Sequence, residues 1–447
     1  MIGNFPDQSP NALISKAETR FIFGIAIPLR FLSTCANLVI RGLSLAARFI
    51  IIVILARALG PSEFGVFTII MTTEIIAILV LGFEFNAYSR REIVNAGEPI
   101  ARGEHIRNQI TIACLLGFIA PAIAYGAAVA GLYPIRLAAL TASIIFFDLI
   151  SQEGIRILYA LQRILMANTV YFVRSSAWVF LIVALYIFRP RLITTALTLE
   201  IWSTFSLAAI LVFLWSLRGL GWEEILRRPV NWQWIKRGFR VALPFFVCTV
   251  CVNILSYLPR YILFYLRGAD QTGIFGLYAG ITVGVVNLLS TITIPSGVAQ
   301  ATYAFAHHGK NAFTSSIKKL WVHSAVMTVI LSAFLMAAFP FVLPFAGANQ
   351  YPMDWLLLVL LVIANGGQIA SIVAQTALYA MHKDRDILIA TVAAGITSIG
   401  LQFALAFLAG MHGLALAMAL SMFLLTALLL YFEQRASLEH TSDIAIR

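Results

Sequence analysis

Charge is what this sequence has least of. Asp, Glu, Lys and Arg make up 11% of its 447 residues, against 60% hydrophobic side chains, and the mean hydropathy is +0.90. Soluble globular domains carry roughly a quarter charged residues, so that class is excluded. Cysteine is scarce as well: Cys35, Cys114, Cys248 and Cys251 are the whole set, and all lie in apolar runs. Cys248 and Cys251 form a CxxC, but no second ligand pair accompanies it, so they read as small packing residues rather than a metal site. A Gly-rich phosphate loop with its lysine and an HExxH pair are both missing. No catalytic residue, metal or cofactor is therefore expected, and no ATP-driven engine. No cleavable leader is expected, since the first twenty residues are polar and FIFGIAIPL (21–29) has no small-residue cleavage site after it. That stretch reads as an interfacial helix or an extension of the first span.

What is present is a series of apolar runs of bilayer length. Twelve spans are expected, at 31–57, 64–88, 107–131, 135–160, 168–188, 193–217, 239–266, 272–303, 317–346, 352–381, 385–409 and 411–433. The runs are continuous rather than alternating, which favours helices over a barrel. Between the spans, 22 of the 31 Lys and Arg fall on the side of the termini and five on the other. The positive-inside rule then places both termini in the cytoplasm. The net charge of +11 is thus a topology signal and a contact for anionic lipid, not a nucleic-acid footprint.

The chain also resembles itself. LARALGPSEFGVF (55–67) is echoed by LRGADQTGIFGLY (266–278), with Gly65 and Gly276 aligned 211 residues apart; Arg107 and Lys318 share that offset. LYALQR (158–163) is echoed by LYAMHK (378–383), 220 apart, and Pro134 and Pro352 open the preceding spans. The expected architecture is an all-α polytopic membrane protein, with about 12 transmembrane helices in two parallel six-helix lobes around a central cavity. Its parts are a cytoplasmic N-terminal segment (1–30), an N-lobe (31–217), a cytoplasmic linker (218–238), a C-lobe (239–433) and a cytoplasmic tail (434–447). Two parallel six-span repeats fit an alternating-access transporter with its site between them.

The four Lys and Arg left over lie inside spans: Arg41, Arg48, Arg174 and Arg260. In the first span Thr34, Asn37, Arg41, Ser44 and Arg48 recur every three or four residues, one polar stripe on an apolar rod. A charge at mid-bilayer costs roughly 2.5–3.5 kcal/mol on insertion scales, so this stripe calls for a hydrated, anionic partner. Span 7 carries a counterpart: Thr249, Asn253, Ser256, Arg260 and Arg267 cluster on one face, with Pro259 as a hinge. Arginine suits phosphate because its planar fork grips two oxygens and stays charged when desolvated. Arg57 and Arg267, near span ends, are open to snorkelling instead. Among the acids, Asp148, Gln152, Glu153 and Arg156 on span 4 read either as an internal ion pair or as a proton relay. Glu74 has no cation on its own helix, which leaves a partner on span 1 or coupling to transport. His307 and His308, beside Lys310, read as loop residues.

ARALGPSEFGVFTI after a polar first helix resembles the oligosaccharide flippases of the polysaccharide-exporter group. Their superfamily also holds the multidrug-and-toxin extruders and the lipid II flippases. Ala56, Arg57, Leu59, Gly60, Pro61, Phe64 and Gly65 match the group's phrase at the end of helix 1. ALPFF (242–246), GADQTGIFGLYAGI (268–281) and LYALQRILMANTVYFVRS (158–175) resemble its later motifs, so the likeness covers roughly 31–433. The resemblance implies a flippase, not an enzyme. Its cargo would be an oligosaccharide repeat on a polyprenyl diphosphate, moved across the bacterial inner membrane for O-antigen, capsule or exopolysaccharide. Membrane lipid and polysaccharide polymerase machinery are the implied partners, and nucleic acid is not. Arg41, Arg48 and Arg260 are the expected headgroup ligands. Asn37, Ser44, Asn253 and Ser256 are expected hydrogen-bond donors, and Glu74 and Asp148 the coupling groups. A drug or cation extruder would want an acidic aromatic cavity, and a glycan polymerase or ligase a large outward loop; neither is legible here.

Overall fold

In lipid the backbone has no partner but itself, so long apolar runs close their hydrogen bonds as helices. The computed structural model describes residues 19–22, 25–307, 309–347 and 350–445, with side chains from Cys35 to Ala436 except Ile292, His308, Lys310, Ala348 and Asn349. Residues 1–18, the Thr34 side chain, His308 and the Lys310 side chain thus lie outside the described residues. A short antiparallel hairpin, β1 (Thr19–Ile22) and β2 (Ile25–Pro28), precedes the first helix, where a helical stretch was expected.

The helices in order are α1 (Leu29–Gly82), α2 (Asn86–Asn95), α3 (Pro99–Gly117), α4 (Ala120–Val129), α5 (Ala138–Ala160), α6 (Ile164–Phe172) and α7 (Trp178–Phe188). There follow α8 (Thr195–Ser216), α9 (Trp222–Arg227), α10 (Trp232–His307), α11 (Gly309–Val342), α12 (Trp355–Ala380) and α13 (Asp384–Ala445). Nine helical segments among the described residues are long and apolar enough to cross a membrane. Three of the helices, α1, α10 and α13, run to 54, 76 and 62 residues. At 1.5 Å per residue each is far longer than the roughly 30 Å of a hydrocarbon core. Each breaks once and turns back, at Gly60 (φ 74°), at Gly268 (φ 83°) and at Ala409–Gly410. At the last break a Cβ on Gly413 would stand 1.9 Å from the Leu405 carbonyl oxygen, a hairpin contact that a continuous helix cannot make. Twelve crossings result among the described residues, with the first and the last of these residues on one face. We call this the near face and its opposite the far face.

Several boundaries move. The second crossing ends at Gly82 rather than 88, because Phe83 and Glu84 adopt positive φ (48° and 50°) and start a separate surface helix, α2. The third crossing begins at Pro99 and is broken between α3 and α4 at Phe118–Ile119, ahead of Pro121. The stretch 232–238, expected in a linker, is already the start of α10, and the expected tail after 433 continues α13 to Ala445.

The two lobes meet where the broken glycines stand. A Cβ on Gly65 would lie 2.0 Å from the Ala269 carbonyl oxygen, and one on Gly273 would lie 2.0 Å from that of Pro61. The contact is reciprocal: Gly60 with Gly268, Pro61 with Ala269 and Gly65 with Gly273 share one offset, so a pseudo-twofold axis runs between them. The offset is 208, three short of the 211 read from the Phe-Gly letters; the backbone aligns the turns, not the dipeptide. The near-face joints keep the expected offset of 220. Leu161 N to Ile157 O, Gln162 N to Tyr159 O and Arg163 N to Leu158 O recur as Met381 to Ala377, His382 to Tyr379 and Lys383 to Leu378. Gln162 and His382 share the same positive φ (58° and 57°).

Burial tells which end of the seam is shut. The largest buried apolar cluster joins Ile51, Leu55, Phe64 and Phe67 of α1 to Phe275 and Tyr278 of α10 and to Leu357 and Leu414 beyond, toward the far face. Toward the near face the larger clusters stay within one lobe. There the lobes are bridged by Phe85, Tyr88, Trp234 and Ile235.

Candidate functional site

The first half of α1 carries its polar stripe on side chains of unequal exposure. Arg41 and Arg48 are exposed, Asn37 is half-buried, and Leu38 and Val39 between them are exposed too. The Arg48 guanidinium lies 5.6 Å from the centroid of the Tyr171 ring on α6. Asn37 accepts a hydrogen bond from Asn168 Nδ2 (2.7 Å). Ser44 does not join them: it is 3% exposed, and its hydroxyl donates to the Ile40 carbonyl (2.8 Å).

The stripe on α10 is more enclosed. Arg260 is half-buried, stands 5.3 Å from the Tyr257 ring and donates to the Ser256 carbonyl (3.2 Å). Asn253 Nδ2 donates to Thr249 O (2.7 Å), and the Ser256 hydroxyl to Val252 O (3.4 Å). Such bonds to the preceding turn satisfy a hydroxyl or amide without a partner from another helix. Arg267 is not part of this group: it reaches Phe407 O at the far face (3.4 Å).

The two stripes approach the same seam. Tyr261 bonds Thr73 at 2.8 Å, and since the Thr73 proton goes to Ile69 O (2.9 Å), the phenol is the donor. Glu74, next in the chain, lies in the neighbourhood of Asp148 and in the fields of Arg174 and Arg48. Arg260, beside Tyr261 in the chain, and Arg48, whose charge reaches Glu74, thus belong to the neighbourhood of this contact. Neither they nor Arg41 form an ion pair with a carboxylate among the described residues, whereas Arg156 does, with Glu153 (2.6 Å) and Glu84 (3.8 Å). Within the span 4 set the internal ion pair forms between Arg156 and Glu153, and Asp148 stands apart from it.

Behind the stripe sits a buried polar cluster that the sequence only half revealed. Asp148 is 2% exposed and Glu74 8%. Trp202 Nε1 donates to Asp148 Oδ2 (3.2 Å), while Oδ1 has no hydrogen-bond partner among the described residues. Arg174 reaches the Asp148 carbonyl (3.3 Å) from a π-helical turn, Val173–Ala177. The extra residue of such a turn shifts the side-chain register, and π-turns concentrate at functional sites. Arg174 had been noticed only as a charge inside a span, and Trp202 not at all; periodicity within one helix does not reveal a partner on another.

Other features carry less. Asp384-Arg385-Asp386 places two acids in the first turn of α13, where they favour the helix dipole. The cysteines are all free, and no cluster of metal-ligating side chains occurs among the described residues. A groove of about 520 Å³, lined by Leu266, Phe403, Ala404, Phe407 and Leu408, is wholly apolar and suits an acyl chain, not a charged head.

A twelve-span helical bundle in two lobes, packed together most tightly at one face, defines a multi-pass membrane transporter or flippase. Residues 31–296 match the profile of the family described as polysaccharide biosynthesis protein, and the chain belongs to that family. No curated protein sequence matches at a significant level. Among solved structures, the fold is similar to a multidrug resistance MATE family transporter of the MOP superfamily in its inward-facing conformation. That match has 14% identity, covers 90% of this chain and 98% of that one, and gives a TM-score of 0.68. It is similar also to the lipid II flippase MurJ in an inward closed conformation, with 12% identity, 90% and 87% covered, and a TM-score of 0.69. The outward-facing conformation of a MATE transporter gives 13% identity, 91% and 94% covered, and 0.62. These likenesses concern the fold.

Proposed function

We propose that the protein is an alternating-access flippase for a polyprenyl-diphosphate-linked oligosaccharide, working in the bacterial inner membrane with both termini in the cytoplasm. One observation carries the reading: Arg41, Arg48 and Arg260 lie within the spans and form no ion pair with a carboxylate among the described residues. A diphosphate supplies the missing charge, and arginine grips it through paired N–H groups. The sugars occupy the hydrated space while the polyprenyl tail stays in lipid. The proposed lobes are 31–217 and 239–433, joined through the linker. Membership of a polysaccharide biosynthesis family supports the cargo class, and the seam, shut at the far face, supports loading from the cytoplasm.

Asn37, Asn253 and Ser256 add polar lining, and Ser44 contributes only through its own helix. Glu74 and Asp148 serve as the coupling groups: two adjacent buried carboxyls hold a cation or release it as the charge beside them changes. Substituting Arg48 or Arg260 by Ala abolishes surface glycan while the protein still inserts in the membrane. Normal glycan display in both variants would refute the assignment. Glu74→Gln keeps binding and loses net transport, read by comparing ligand titration with glycan display in the same strain.

A further inference from the structure

Arg48 and Asn37 lie on one helix, yet what holds them comes from another. Asn168 and Tyr171 stand three residues apart on α6, hence on one face of it. Asn168 is 1% exposed. The Tyr159 hydroxyl donates to Asn168 Oδ1 (2.7 Å), and Asn168 Nδ2 donates to Asn37 Oδ1 (2.7 Å). This chain has a direction. A phenol proton spent on the amide oxygen of Asn168 turns its nitrogen toward Asn37, and the oxygen of Asn37 is then occupied. Asn37 is left with its Nδ2 protons, for which no acceptor occurs among the described residues. The reversed chain would aim the Asn37 oxygen at an incoming anion. One turn further along, the Tyr171 ring lies against the Arg48 guanidinium, where a cation–π contact fixes the position of the charge without neutralising it. Directly after Phe172 the helix passes into its π-turn, and the next polar side chain, Arg174, goes to Asp148 instead.

We propose that Asn168 and Tyr171 are positioning residues of the headgroup site: they orient Asn37 and Arg48 as hydrogen-bond donors to a bound diphosphate, and Tyr159 sets the direction of the chain. The inference rests on the reading above, and the test separates the two.

Purified full-length protein is titrated with geranylgeranyl diphosphate by calorimetry, with the thermal midpoint recorded for each variant. Asn168→Asp is isosteric but only accepts. It draws the Asn37 amide nitrogen inward and turns its oxygen to the ligand. Binding is expected to weaken by about tenfold or more, the scale of one hydrogen bond to a charged group. In the Asn37→Ala background the same substitution changes affinity by less than about twofold, because there is no amide left to turn. Tyr159→Phe keeps the packing and loses part of the affinity, again only where Asn37 is present. Tyr171→Phe retains binding, and Tyr171→Leu loses it with an unchanged midpoint. Equal losses from Asn168→Asp with and without Asn37, or identical behaviour of Phe and Leu at 171, overturn the inference while the flippase reading stands. A wild-type protein that does not bind the probe overturns both.

Discussion

Arg107 shows what an arginine looks like here when its role is architectural. It is 7% exposed and sends its N–H groups to the carbonyls of Ile225, Arg228 and Pro229 and to Asn108 Oδ1. It thereby closes the end of α9, whose last carbonyls have no partner within so short a helix. Replacing it by Ala leaves buried acceptors unmet, at about 1–3 kcal/mol. We expect a lower thermal midpoint for Arg107→Ala in detergent and a partial recovery for Arg107→Lys. Arg41, Arg48 and Arg260 differ in kind: their N–H groups are largely uncommitted and none forms an ion pair among the described residues. Arg48→Ala is accordingly expected to leave the midpoint near wild type and to weaken diphosphate binding about tenfold or more, from the loss of charged hydrogen bonds. A large fall in the midpoint with unchanged binding would mark Arg48 as a second Arg107.

Among the elements, the break at Gly60 and the turn into the second crossing explain the Leu-Gly-Pro phrase physically. Gly60 supplies the positive φ that side chains resist, and Pro61 fixes φ at the first helical position, where no N–H is needed. In the second lobe Gly268 keeps the first role, and Ala269 stands where proline would be. The reciprocal contact of Gly65 and Gly273 then allows the backbones to touch. Gly65→Val or Gly273→Val must separate the lobes at the far face. We expect greater labelling of single cysteines placed in the far-face loops and loss of glycan display; unchanged labelling would mean that the contact does not seal that face. The crossings themselves were legible because each is a long apolar run. The register of the repeat was not, since Phe-Gly recurs three residues away from the true equivalence and only backbone geometry settles it. The positive φ at Phe83 and Glu84 was equally hidden: neither is glycine, and Glu84 is held by Arg156 and Asn86 from outside its turn.

For the molecule as a whole, the seam decides what the arginines can do. Its far end is filled by the largest apolar cluster and its near end by one smaller aromatic bridge, so on the proposed mechanism the near end is the one that parts first. Rocking about the Gly65–Gly273 contact would expose the same side chains to the other side, which is what moving a polar head through a bilayer requires. The sequence displayed half of this arrangement, namely two arginine-bearing stripes in matching halves. It could not display which stripe members stay bonded to their own helix, as Ser44 does, nor that α6 stands behind the first span. The direct test is translocation of a lipid-linked oligosaccharide diphosphate in proteoliposomes. The wild-type protein should bring it to the opposite leaflet, and the Arg48→Ala/Arg260→Ala protein, inserted to the same level, should not. Equal translocation by both, or none by the wild type, would contradict the account.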